Sequence, residues 1–282
     1  MKSVTIIIPA FNEENSIGDI VKRIHEIHPD YEILVIDDGS TDNTAANAIN
    51  AGARVHTHPH NIGNGGAVKT GIRMARGEHL VFMDGDGQHD PNDIKKMLDL
   101  LSNFDLVVGK RTLKGQASWF RALGNTLYNK LASYVAKFKI KDLTSGFRAI
   151  KADLAREFIY LLPNTYSYPT TLTLGVLRTG RTVNYMPISV QPRRKGKSNI
   201  HITTDGINFF MVILKICTLY SPLRVFLPTS FAMFFMGLCY YGYTFFTQGR
   251  FTNMSMLLFT TSILIFMLGL ISEQICQMRF DK

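Results

Sequence analysis

Two carboxylates one residue apart close an apolar run in "LVFMDGDGQHDP", residues 80–91. Asp84 and Asp86 leave a strand-like segment with the period-2 geometry that points alternate side chains the same way. Two hard oxygens on one side suit Mg²⁺ or Mn²⁺ carrying a substrate diphosphate. Asp and Gly are equally the ordinary residues of a turn, so this stretch alone leaves both readings open.

Two further clusters invite chemistry. "NIGNGGAVKTG" (61–71) approaches a phosphate-binding loop, but Val68 stands where either glycine fingerprint needs glycine, and the segment does not directly follow a strand. What survives is physical: glycines opening a helix let its backbone come close to a neighbour or a phosphate. His56, His58 and His60 alternate in "HTHPHN", yet Pro59 breaks the strand and no acid or Cys lies nearby in sequence, so metal binding is not expected there.

The elements that must position these residues follow from periodicity. Apolar runs of strand length occur at 4–9, 31–37, 53–58, 79–84 and 105–110. Helical spacing fills 15–27, 41–50, 64–75 and 91–102, and "DDGSTDNT" offers Asp and Thr to cap the second helix. Such alternation predicts an α/β fold, a Rossmann-like mostly parallel sheet with helices on both faces. Ligands in such sheets bind at the carboxyl ends of strands. "PAFNEE", "DDGS" and "DGDGQ" end strands one, two and four, so three polar clusters converge on one edge. Downstream, 117–137 reads as a long helix, "KDLTSGFRAIK" (141–151) as a turn entering a strand, 152–161 and 168–179 as helices and 182–190 as a strand.

The 282 residues permit one large domain with an appendage, and the +9 formal charge raises nucleic-acid binding first. Distribution argues otherwise. The densest basic cluster, "RRKGK" at 193–197, precedes an apolar tail, as expected beside a membrane on its cytoplasmic side. Residues 207–219 read as an interfacial helix, with a buried core helix as the alternative. No charge appears over 225–247 or 251–272, each long enough to span a bilayer, and the short "QGR" link makes them a tight hairpin that returns the chain to its starting side. Cys217, Cys239 and Cys276 sit in apolar stretches, as buried hydrophobes do, and "MKSVTIIIPAFNEE" reads as a strand and not a signal peptide.

In order, "IIIPAFNEEN", "LVIDDGSTDNT", "NIGNGGAVKTG", "VFMDGDGQHDP" and "TSGFRAI" resemble the family 2 glycosyltransferases of GT-A fold. More narrowly they are similar to the polyprenyl-phosphate glycosyltransferases, the group of dolichyl-phosphate mannose synthase and bacterial undecaprenyl-phosphate glucosyltransferase. The resemblance covers residues 4 to about 200, and the hairpin tail fits the bacterial branch. It implies that Pro9, Phe11, Glu13 and Asp38 hold the nucleoside, that Asp84, Asp86 and Gln88 bind diphosphate and metal, and that Arg111 and Arg121 receive the lipid phosphate. Asn125 stands where relatives often have Ser, and Ser145 and Arg148 map to the acceptor side. Asp86, Arg111 and Arg121 would carry catalysis, with inversion at the anomeric carbon.

The implied division is a catalytic domain over 1–200, an interfacial helix over 201–222, spans over 223–248 and 251–273, and a cytoplasmic tail over 274–282. The resemblance favours UDP-glucose as donor, with GDP-mannose and UDP-N-acetylglucosamine as alternatives, a polyprenyl phosphate acceptor, a cytoplasm-facing multi-pass membrane enzyme and a possible tetramer. A processive polysaccharide synthase would carry Q-x-x-R-W, which Trp119 in "GQASWFRA" does not match. A non-catalytic nucleotide-sugar scaffold would be expected to lose Asp84, Asp86 and Gln88, and all three are present.

Overall fold

A seven-stranded sheet in the order β3-β2-β1-β4-β6-β5-β7 organises the first part of the chain. The computed structural model describes residues 3–111, 126, 129–130, 132–134, 136–164, 168–190 and 221–280. Two units divide it: Met1–Ser133 with Phe138–Asp205, and Tyr134–Lys137 with Gly206–Lys282. Arg121, Asn125, the basic cluster at 193–197 and the helix expected over 207–219 lie outside the described residues.

In the first unit the strands are β1 (Val4–Ala10), β2 (Glu32–Asp37), β3 (Arg54–Thr57), β4 (His79–Phe82), β5 (Leu106–Arg111), β6 (Arg148–Lys151) and β7 (Val183–Ile188). Its helices are α1 (Ile17–Ile27), α2 (Thr44–Asn50), α3 (Asn64–Met74), α4 (Asp93–Leu100), α5 (Ala152–Glu157), followed by a 3₁₀ turn at Ile159–Leu161, and α6 (Tyr168–Arg178). All seven residues of β1 are buried, as a central strand covered on both faces requires. Its side chains alternate: Ile6, Ile8 and Ala10 join Ile17, Ile20, Val21 and Ile24 of α1 and Ile94 and Met97 of α4 in one core. Ile7 faces the other way, against Gly71 of α3.

Pairing is parallel between β1 and β2, β1 and β4, β2 and β3, and β5 and β7. β6 runs antiparallel to both β4 and β5, pairing Val81 with Ala149 and Val107 with Ala149. The strand expected after "KDLTSG" is therefore an antiparallel insert in the otherwise parallel sheet. Of the helix expected over 117–137, residues 126, 129–130, 132–134 and 136 are helical, and Lys137 turns at φ +50°.

The second unit is a hairpin of α7 (Leu223–Gln248) and α8 (Asn253–Phe280). At 1.5 Å per residue, α7 is about 39 Å long, ample for a hydrocarbon core of about 30 Å. Gly249, left-handed at φ +63°, closes α7 with its N–H on the Phe245 carbonyl. The helices meet through small and hydroxyl residues. Ser230 Oγ donates to the Ser262 carbonyl and Ser262 Oγ to the Ser230 carbonyl, each at 2.9 Å, while Gly237 lies against Leu258 and Phe259. Such contacts suit a setting without a hydrophobic drive between helices. Phe231, Phe235, Phe246, Leu264 and Leu268 are exposed on the outer faces. α8 runs on through the segment read as a tail, and Glu273 accepts the Leu223 N–H at the start of α7.

Candidate active site

The sheet reverses its winding at β1, which has β2 on one side and β4 on the other; the crevice at the carboxyl ends of such strands is where ligands bind. A cleft of about 520 Å³ lies there. Pro9, Ala10, Phe11 and Glu13 line it from the end of β1, Asp38 from the end of β2, and Asp84, Gly85 and Asp86 from the end of β4. Six of the residues singled out from sequence, Pro9, Phe11, Glu13, Asp38, Asp84 and Asp86, thus share one cavity.

Interlocked loops hold the first wall. Asn12 takes φ +55° and donates its N–H to Ser40 Oγ, while its side-chain oxygen accepts the Thr41 N–H. Glu13 N–H donates to Thr44 Oγ1 and Glu14 N–H to Asp42 Oδ2. Asp42 Oδ1 also accepts the Thr44 N–H, the first of α2, so an Asp does serve that helix end, although Asn43 occupies the N-cap position. These bonds, with that from the Thr44 hydroxyl, outweigh burial and hold the Asp42 carboxyl below its ordinary range.

Asp38 is 3% exposed and its carboxylate is well supplied. Oδ1 accepts from His58 Nδ1 at 2.7 Å and the Ile62 N–H at 3.0 Å; Oδ2 accepts the Gly63 N–H at 2.7 Å. Gly39 makes this closeness possible: at φ +74°, a Cβ there would lie 2.7 Å from the His60 carbonyl carbon. Of the three alternating histidines, His58 alone is buried, and its partner is an acid 20 positions away in sequence.

On the opposite wall, Asp84 lies against Gly146, where a Cβ would be 2.6 and 2.7 Å from the two carboxylate oxygens. Asp86 Oδ1 accepts the Gln88 N–H at 3.1 Å, and Ser16 Oγ donates to the Gly85 carbonyl at 2.7 Å. Among the described residues no group of three or more His, Cys, Asp or Glu could hold an ion. Asp84 and Asp86 could supply two hard oxygens, leaving further positions to an amide, substrate oxygens and water, the donor set in which Mg²⁺ and Mn²⁺ sit readily. Gln88 is not among the residues lining the cleft.

Thr144, Gly146, Tyr168 and Pro169 also line it, and sequence reading did not pick them out. Tyr168 is buried edge-on to Phe82; burial and then the Asp84 charge push its hydroxyl pKa well up, so it stays protonated. Arg111, at the end of β5, makes a two-pronged pair with Asp142, Nε to Oδ2 and Nη2 to Oδ1, both at 3.0 Å, and donates to Thr144 Oγ1. Arg148 has no exposed surface. Its guanidinium donates to the carbonyls of Ser145 and Pro169 and to Thr173 Oγ1, and burial lowers its pKa. Ser145 is buried behind the cleft wall, its Oγ unpartnered.

A mostly parallel sheet whose β1, β2 and β4 ends present carboxylates to one cleft defines a GT-A glycosyltransferase architecture. The chain belongs to glycosyl transferase family 2, which matches residues 5–159, and a GtrB C-terminal hairpin matches residues 221–278. It is a glycosyltransferase with a membrane-associating tail. The dodecaprenyl-phosphate galacturonate synthase of Rhizobium johnstonii is 28% identical over 233 residues, 78% of this chain and 67% of that protein. The polyprenol monophosphomannose synthase of Mycolicibacterium smegmatis is 30% identical over 227 residues, 75% of this chain and 84% of that protein. Among solved structures, glucosyl-3-phosphoglycerate synthase from Mycobacterium tuberculosis, in complex with Mn²⁺, UDP-glucose and phosphoglyceric acid, superposes with a TM-score of 0.63 at 22% identity, over 77% of this chain and 79% of that one; the likeness is one of fold.

Proposed function

We propose that the protein transfers a hexose, glucose in the first instance, from a nucleotide sugar to polyprenyl phosphate with inversion, at the cytoplasmic face of a membrane. The observation that carries this reading is the convergence of Pro9, Phe11, Glu13 and Asp38 with Asp84 and Asp86 on one cleft, in a chain that ends in an apolar hairpin. The relatives named for lipid-phosphate galacturonate and mannose transfer support the acceptor class. GDP-mannose and UDP-N-acetylglucosamine are the alternative donors. The basic cluster at 193–197 supports the cytoplasmic orientation.

In this reading Pro9, Phe11, Glu13 and Asp38 hold the nucleoside, and Asp84 and Asp86, with Gln88, hold the diphosphate side. A Mg²⁺ or Mn²⁺ bound there supplies Lewis-acid stabilisation of the leaving diphosphate. The acceptor needs no general base: a phosphate monoester, with a second pKa of about 6, is already largely dianionic at neutral pH. It needs orientation, which arginine forks provide. Arg111 and Arg121, with Asn125, are assigned that role. Arg148 and Ser145 serve it from behind, Arg148 by fixing the 145–147 segment through the Ser145 carbonyl. An acceptor with an isoprenoid tail stays in the bilayer, and the hairpin keeps the enzyme there with it.

The test is nucleotide release by the purified full chain in detergent, with undecaprenyl phosphate, Mg²⁺ or Mn²⁺ and each of the three donors. Release that requires the lipid phosphate, and is lost with EDTA and in Asp86→Asn, supports the assignment; lipid-independent release, or full activity in Asp86→Asn, overturns it.

A further inference from the structure

His56 and His60 remain at least partly exposed, whereas His58 is 5% exposed and bridges two groups. Its Nδ1 lies 2.7 Å from Asp38 Oδ1 and its Nε2 2.9 Å from Thr70 Oγ1. The His58 backbone N–H donates to the Asp37 carbonyl at 2.8 Å. The ring thus joins the end of β2, the segment after β3 and helix α3, whose residues Asn64 and Ala67 line the cleft with Asn61 and Gly63. Hydrogen-bond accounting shows what the join does. An ionised carboxylate offers about four acceptor sites. On Asp38 three are taken, by His58, the Ile62 N–H and the Gly63 N–H, which leaves one on Oδ2. A carboxylate only accepts, so that site takes an N–H or O–H of whatever fills the cleft.

We propose that His58 is a positioning residue for donor binding: clamped between Thr70 and Asp38, it fixes the Asp38 carboxylate and the 61–64 segment so that the wall of the cleft is set before the nucleotide sugar arrives. Preorganisation of this kind acts on affinity by removing an ordering cost. Without the ring, Asp38 is free to turn on its Cα–Cβ bond toward the two backbone N–H groups that remain. The inference rests on the nucleotide-sugar reading of the cleft. It predicts an effect on donor and not on acceptor.

Two near-isosteric substitutions separate this role from simple core filling. The amide nitrogen of Asn falls near Nδ1 of His, so His58→Asn keeps a donor to Asp38 and loses Thr70. The amide of Gln falls near Nε2, so His58→Gln keeps Thr70 and loses Asp38. The measurements on the purified full chain in detergent are KM for the nucleotide sugar, KM for polyprenyl phosphate, and direct calorimetric binding of UDP and GDP. His58→Gln is expected to raise donor KM and weaken nucleotide binding about tenfold or more, the loss of one bond to a charged group. Acceptor KM stays unchanged and His58→Asn stays close to wild type. Equal behaviour of the two variants, or a parallel change in donor and acceptor KM, overturns the inference while leaving the functional reading intact. Wild-type protein that binds neither nucleotide overturns both.

Discussion

Gly146→Ala moves the Asp84 carboxylate and little else. The Gly146 φ lies outside the left-handed region that favours glycine, so alanine meets no backbone penalty there. Its Cβ would stand 2.6 and 2.7 Å from the Asp84 oxygens and 2.9 Å from Cγ. Ordinary contact begins at 3.4 Å, so the carboxylate must retreat by about 0.8 Å, or the 145–147 segment must retreat from it. The segment is the stiffer partner. Phe147 is fully buried, its carbonyl accepts the Gly109 N–H at 2.9 Å, and the Ser145 carbonyl is held by Arg148. Displacements near 1 Å in a reacting constellation cost on the order of 100-fold in rate. The expected result is a fall in kcat of about 30- to 100-fold, a higher Mg²⁺ or Mn²⁺ concentration for half-maximal activity, and a thermal midpoint near that of wild type. The assay is transfer of radiolabelled sugar into the organic phase across a metal titration. Wild-type kcat and metal response in Gly146→Ala would refute the placement of Asp84 in the reacting site.

Three further outcomes follow from the geometry. At Asp105, burial opposes ionisation, but Lys151 Nζ at 2.8 Å and the Thr182 N–H and hydroxyl at 2.9 and 2.8 Å outweigh it and hold the pKa to about 2. A folded-state pKa below the ordinary value of about 3.9 stabilises above that value and loses its effect as the pH falls toward 2, so the stability gap between wild type and Asp105→Asn should narrow between about pH 4 and 2; a constant gap in urea titrations would contradict this. Arg148→Met leaves the Ser145 carbonyl without its donor, while the Pro169 carbonyl keeps the Thr173 hydroxyl, and should cost about 2 kcal/mol or more in chemical denaturation, with unchanged stability as the contrary result. Each of Ser230→Ala and Ser262→Ala should cost about 0.6–1.7 kcal/mol in detergent denaturation, because each hydroxyl donates to the other residue's backbone carbonyl; unchanged stability in both variants would contradict the pairing.

Much of this was legible because it is local. The five strands from 4 to 110 announce themselves by short apolar runs of strand length, and the polar clusters following β1, β2 and β4 fall at the cleft because parallel strands end on one edge. The glycines of 61–71 do allow close approach, Gly71 against Ile7 and Gly66 against Ile62. What sequence did not disclose depends on contacts between distant segments. Nothing in the four residues of β6 says that it inserts antiparallel between β4 and β5. The resemblance put Arg148 of "GFRAI" on the acceptor side, and its full burial is accounted for by the Ser145 carbonyl and by the Pro169 and Thr173 oxygens, 21 and 25 positions on. His58 looked like one of three idle histidines because its acid, Asp38, follows another strand 20 positions earlier. Thr144, ahead of β6, and Tyr168, at the start of α6, reach the cleft by tertiary placement that no periodicity records.

The central claim is that the sugar ends on a lipid phosphate. Mass spectrometry of the organic-phase product, after incubation of the full chain with undecaprenyl phosphate, a divalent metal and each nucleotide sugar in turn, reads that bond directly. One donor should give undecaprenyl phosphate heavier by a single hexose residue, with no longer glycan series. Free sugar with unmodified lipid, or a ladder of added sugars, would contradict it.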